Sequence, residues 1–90
     1  MYLYPKPNPS GYTIYYKSGC IFCKNSKEIL KSETGTKMIN CDEFLIENKD
    51  KFLLFMKCII GYEYRYMPLI FKDNQFIGGY TDLMNYLSID

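Results

Sequence analysis

Two cysteines three positions apart, Cys20 and Cys23, sit where a strand-like run gives way to a helix-like one, and this junction restricts the fold more than any other feature of the chain. Residues 12–17 are rich in aromatic and β-branched side chains and read as a strand that stops at Ser18-Gly19. Good helix formers fill residues 21–33, with Lys24 and Glu28 four apart, up to Thr34-Gly35, where glycine suits a left-handed C-cap. Strand, tight turn and helix thus place Cys20 at the predicted helix N-terminus and Cys23 one turn deeper.

The chain has 90 residues, 48% of them hydrophobic, enough for one core but not two. Residues 36–40 read as a second short strand. Asn48 or Asp50 can cap a helix whose apolar residues fall at Phe52, Phe55, Met56, Ile59 and Ile60 before Gly61 stops it. Apolar runs at 69–72 and 75–77 flank the turn pair Asp73-Asn74 and predict a hairpin. Gly78-Gly79 ends it, and Thr81 can cap a last helix that buries Leu83, Met84 and Leu87. The order is β-α-β-α-β-β-α. Its first half needs a crossover helix between parallel strands and its second half contains a hairpin, so the predicted α/β fold has a mixed four-stranded sheet flanked by helices. Pro5, Pro7 and Pro9, followed by Ser10-Gly11, make residues 1–11 an extended leader and 12–90 the folded domain.

Eleven basic and ten acidic residues leave a net charge of +1, which argues against a nucleic-acid partner, since such proteins concentrate a basic excess on one face. Lys24, Lys27 and Lys31 are interleaved with Glu28 and Glu33, as on a solvated helix face. No apolar run approaches the roughly 20 residues needed to span a bilayer, so no membrane partner is expected. Residues 1–11 lack the pattern of a secretory signal, which makes the cytosol the expected compartment. In a reducing compartment a CxxC pair points to redox or metal chemistry.

A thiolate, not a thiol, attacks a disulfide. Cys20 is placed to be one, because unpaired N–H groups and the helix dipole stabilise an anion there and Lys17 can add positive charge. Cys23, deeper but adjacent, can resolve a mixed disulfide by attacking Cys20. Half of a metal site is the rival reading of the pair. However, Cys41 and Cys58 are not a second close pair, and the chain contains no histidine. These two are expected to be small buried hydrophobes.

The blocks Lys17-Ser18-Gly19-Cys20-Ile21-Phe22-Cys23, Arg65-Tyr66-Met67-Pro68 and Gly78-Gly79-Tyr80-Thr81-Asp82 resemble, in order and spacing, those of the dithiol glutaredoxins, over about residues 12–88. The resemblance implies a thioredoxin-like fold. In that family a lysine stands three residues before the first cysteine, as Lys17 does, while Ile21 and Phe22 replace the common Pro-Tyr. Met67 and Pro68 look like the residue that pairs with the cysteinyl part of glutathione and the cis proline facing the dithiol; Tyr66 replaces the usual threonine. Gly79, Thr81 and Asp82 look like the turn and helix start that hold the γ-glutamyl end, with Phe22 also in the glutathione site. Lys17 and Arg65 would meet the glycine carboxylate.

The reading that follows is a monomeric, glutathione-dependent thiol–disulfide oxidoreductase. Cys20 is its nucleophile, Cys23 its resolving thiol, glutathione its reductant, and disulfide-bearing or glutathionylated proteins its partners, with no metal. Two other readings are a redoxin of this fold served by a flavin-dependent reductase, and a carrier that holds an iron–sulfur cluster between two chains. The cluster-carrying relatives have an insertion before the cysteine and a Cys-Gly-Phe-Ser motif, and neither is present here.

Overall fold

The computed structural model describes residues 4–88; the start of the leader and the last two residues of the predicted domain lie outside the described residues. Seven elements follow in the predicted order: β1 (Tyr12–Tyr16), α1 (Ile21–Leu30), β2 (Lys37–Asn40), α2 (Asp42–Ile60), β3 (Leu69–Lys72), β4 (Gln75–Gly78) and α3 (Tyr80–Leu87). They form one sheet in the order β2-β1-β3-β4, in which β1 runs parallel to β2 and antiparallel to β3, and β3 antiparallel to β4.

β1 is paired along both edges and covered on both faces, which is why its sequence is a nearly continuous apolar run. Tyr12 and Ile14 pack with Leu30 of α1, Ile70 and Leu83 of α3. Tyr15, on the opposite face, packs with Leu69, Phe71 and the α2 residues Phe52, Leu53 and Met56. The polar atoms that this burial takes from water are satisfied by the leader: the Thr13 hydroxyl accepts from the Asn8 N–H at 2.9 Å and the Tyr15 hydroxyl donates to the Pro5 carbonyl at 2.6 Å. Residues 4–11 carry no helix or strand, but they lie against the domain. The Tyr4 ring packs among Phe44, Phe52 and Phe55 with centroids 4.9–5.3 Å away. At the other end of the leader, Gly11 and Asp73 exchange two hydrogen bonds, through the Asp73 carboxylate at 2.7 Å and the Gly11 carbonyl at 2.9 Å.

The hairpin forms as predicted. Asp73 and Asn74 take φ of 51° and 67°, the left-handed pair that a two-residue hairpin turn needs and that these residue types tolerate. The register shifts within it: Phe71 pairs with Phe76 and Ile70 with Gly78, which makes Ile77 an extra residue on β4.

The helices depart from expectation at their ends. α1 stops at Leu30, short of the predicted Glu33. α2 begins at Asp42, well before the predicted cap, because Asn40 and an acidic first turn start a helical segment there. The predicted cap is nevertheless real. Asn48 leaves helical geometry at φ −161° and ψ 87°, and its Oδ1 accepts the Lys51 N–H at 3.0 Å, so it ends one segment and caps the next. In α3 the N-cap is Gly79 rather than Thr81, since Asp82 closes the capping interaction back onto the Gly79 N–H. Leu83 is buried as expected, whereas Met84 faces solvent.

Two variants test this account by chemical denaturation. Phe52→Ala removes a fully buried ring shared by the leader and the sheet and is expected to cost about 3–5 kcal/mol. Asn48→Ala, which loses only a cap, is expected to cost about 1 kcal/mol.

Candidate active site

The end of β1 delivers Lys17, Ser18 and Gly19, and this short loop is tied to the start of α2. The Asp42 carboxylate accepts from the Ser18 N–H at 2.8 Å and from the Ser18 hydroxyl at 2.5 Å, while its own N–H donates to Asn40 Oδ1 at 2.7 Å. These bonds to Ser18 hold the Asp42 carboxyl below its ordinary range. Gly19 then takes φ of 74°, a left-handed geometry that glycine adopts without strain.

Cys20 follows as the N-cap of α1, in extended geometry at φ −107° and ψ 111°. Its Sγ accepts the Cys23 N–H at 3.2 Å, so sulfur stands where a serine or aspartate oxygen would cap the helix. Cys20 is partly exposed, whereas Cys23, three residues on, is 1% exposed. Burial, followed by its hydrogen bond with Cys20, pushes the Cys23 thiol up to about 12, against a smaller lowering by Lys17. The environments of the two thiols thus differ in the sense expected for one attacking and one resolving group.

Across from Cys20, its Sγ lies 3.9 Å from the Met67 carbonyl oxygen, and the Met67-Pro68 peptide bond is cis, as the family resemblance implies. The remaining predicted residues fall into two clefts that meet at Tyr66 and Met67. One, about 320 Å³, collects Phe22, Met67, Gly79, Thr81 and Asp82. The other, about 410 Å³, collects Lys17, Arg65 and Met67. Tyr66, 74% exposed, lines both.

Close packing explains both glycines. A Cβ at Gly78, where φ is 132°, would run into the Asp82 carboxylate, and one at Gly79 would sit 2.9 Å from the Tyr64 hydroxyl. Phe22, about half exposed, stacks on Tyr80 at 5.5 Å. The Asp82 carboxylate is partly engaged already, through the Gly79 N–H at 3.0 Å.

Sequence reasoning missed Asp42, Tyr64, Tyr80 and the α2 residues Leu45, Ile46 and Lys49, which also line the clefts. Asp42-Glu43 after an apolar strand was an available signal for an early helix start; nothing in the sequence singles out Tyr64. The other cysteines need correction. Cys41 is buried as expected, but it is also an N-cap, that of α2, because the helix starts earlier than predicted. Burial pushes its thiol up to about 12. Cys58 is exposed, not buried, because it lies on the solvent side of α2. Among the described residues, no three His, Cys, Asp or Glu side chains come together to hold a metal ion.

A mixed sheet of this order with a CxxC pair opening its first helix defines a thioredoxin-like protein. Its structure is similar to those of the glutaredoxins. Glutaredoxin 1 from Francisella tularensis, complexed with cacodylate, matches at TM-score 0.70 and 24% identity over 83% of this chain and 88% of its own. Reduced Escherichia coli glutaredoxin matches at TM-score 0.63 and 26% identity over 86% and 92%. A buckwheat glutaredoxin–glutathione complex matches at TM-score 0.69 and 20% identity over 87% and 68%. No family model matches the sequence, and no curated protein does. The structural likeness supports a thiol–disulfide oxidoreductase of the glutaredoxin type.

Two measurements follow. In alkylation resolved by peptide, partly exposed Cys20 is expected to be modified faster than Cys23, which burial and a thiol pushed up to about 12 should leave unmodified in the native protein, with exposed Cys58 as an internal reference. The Asp42 carboxyl is lowered on folding, so its contribution to stability is present above the ordinary value of about 3.9 and lost as pH falls through the folded value. The gap in unfolding midpoint between wild type and Asp42→Asn should therefore be constant above about pH 5 and close on further acidification.

Proposed function

We propose that the protein is a glutathione-dependent thiol–disulfide oxidoreductase that reduces glutathione mixed disulfides and protein disulfides. The observation that carries this reading is the Cys20 sulfur: partly exposed, capping α1 through the Cys23 N–H, with a buried second thiol behind it and the Met67 carbonyl in front. For a mixed disulfide, the Cys20 thiolate attacks the glutathione sulfur. A Cys20–glutathione bond forms, the old S–S bond breaks, and the substrate leaves as thiolate. A second glutathione attacks that bond, frees Cys20 and departs as glutathione disulfide. For a protein disulfide, Cys20 bonds to one substrate sulfur and Cys23 then attacks Cys20. The substrate leaves as a dithiol, and two glutathiones reduce the Cys20–Cys23 disulfide. Sulfur-to-sulfur exchange of this kind requires no metal.

In this reading Lys17 and Arg65 receive the glycine carboxylate, the Met67 backbone beside Pro68 pairs with the cysteinyl part, and the cleft of Phe22, Gly79, Thr81 and Asp82 takes the γ-glutamyl end. The α3 N-terminus favours that end's carboxylate. That a buckwheat glutaredoxin of similar structure forms a complex with glutathione supports glutathione as the ligand. In this reading the working unit is a monomer acting in the reducing cytosol, where the reaction has its reductant.

The test is turnover of a small glutathione mixed disulfide with glutathione as reductant. Cys23→Ser should retain this activity and lose most of its reduction of protein disulfides, while Cys20→Ser should fall to background in both. Activity that appears only with a flavin-dependent reductase would sink the glutathione assignment.

A further inference from the structure

The larger cleft extends past the residues that the glutathione reading uses. One wall is α2 on either side of the Asn48 break, which presents Leu45 and Ile46 before it and Lys49 after it. Ile46, 84% exposed, is an apolar side chain on the same cleft as Lys17 and Met67. The cations lining this cleft are Lys17, Lys49 and Arg65, and its one lining carboxylate is Asp42. That carboxylate is occupied by Ser18, and Lys49 has no ion-pair partner among the described residues. Arg65 shares its charge with Glu63 at 3.8 Å, both well exposed. The cleft is therefore apolar at one wall, cationic at its rim, and open at Met67, whose carbonyl touches the Cys20 sulfur.

Resting on the oxidoreductase reading above, we propose that this cleft docks the disulfide-bearing segment of a protein substrate that carries acidic side chains and an apolar one beside its reactive cysteine. When Cys20 is bonded to a substrate sulfur, the residues next to that sulfur must leave past Met67, and successive residues of an extended segment advance about 3.3 Å each. The segment then meets Ile46 and Lys49 at the step in which glutathione is not bound. Lys17 and Arg65 serve both ligands in turn, whereas Ile46 and Lys49 serve only the protein. Charge complementarity selects an acidic segment, because a basic one would meet the rim cations unpaired.

Two disulfide-cyclised peptides that differ only in carrying Glu or Lys at the positions flanking one cysteine, each with a leucine nearby, test the proposal alongside a small glutathione mixed disulfide. Wild type should show a KM about fivefold lower for the Glu peptide, the upper end of what exposed ion pairs give, and the preference should shrink in high salt. Lys49→Glu should remove or reverse the preference. Ile46→Ser should raise KM for both peptides. Neither substitution should alter turnover of the small mixed disulfide, and both lie on the surface, so unfolding midpoints should stay near wild type. Turnover of the small disulfide with no preference between peptides, or a preference untouched by Lys49→Glu, overturns the docking proposal alone. Absence of turnover on every disulfide overturns the oxidoreductase reading and the docking with it.

Discussion

The position of everything at the site depends on β1 being paired on both edges and buried on both faces. A strand with no free edge has a fixed register, and here the register aligns three chain segments at one end of the sheet. Tyr16 lies opposite Asn40, so the chain leaving β2 brings Asp42 alongside Ser18. Tyr15 lies opposite Leu69, so the residues entering β3, Met67 and Pro68, arrive beside the loop that carries Cys20. The Cys20 sulfur, its carbonyl neighbour and the carboxylate that ties its loop thus come from three separate parts of the sequence. The burial of Tyr12, Ile14 and Tyr15 that holds the strand is also what orders the leader, whose backbone satisfies the polar atoms of Thr13 and Tyr15.

Two cysteines in this protein cap helices, and they differ in a way that separates the contributions to thiol chemistry. Cys20 caps α1 at the surface and takes a hydrogen bond from the helix; Cys41 caps α2 with no such side-chain bond, in full burial, and is pushed up to about 12. A helix N-terminus favours an anion only to the extent that its N–H groups reach the sulfur and solvent remains close. At Cys41 desolvation outweighs the dipole. Cys23, inside the same helix that Cys20 caps, shows the same dominance of burial.

Local chemistry with a strong preference was legible in the sequence. The apolar run of β1, the Asp73-Asn74 turn, the glycines at 78–79 and the cysteine pair each specify one geometry, and together they fixed the element order and most of the groups around Cys20. What was not legible depended on contacts distant in sequence. The early start of α2 follows from Asn40 accepting the Asp42 N–H and from the Asp42 carboxylate engaging a loop more than twenty residues away, and a period-based reading sees only the stronger pattern after Asn48. Tyr64 matters because its hydroxyl approaches Gly79, which no spacing rule contains. Cys58 was misplaced because its residue type is so often buried, while the helix face on which it falls is turned to solvent.

The outer strands have a consequence of their own. β2 and β4 are each four residues long, β4 carries an extra residue at Ile77, and beside β2 the Lys37 ammonium reaches the Lys6 carbonyl at 3.2 Å. A foreign strand laid against either border would find few backbone groups in step with its own, and on one side a charged side chain already bound to the leader. The sheet therefore gives little template for growth by strand addition, so the protein can keep a sticky apolar residue such as Ile46 on a helix without also exposing a border along which copies could polymerise.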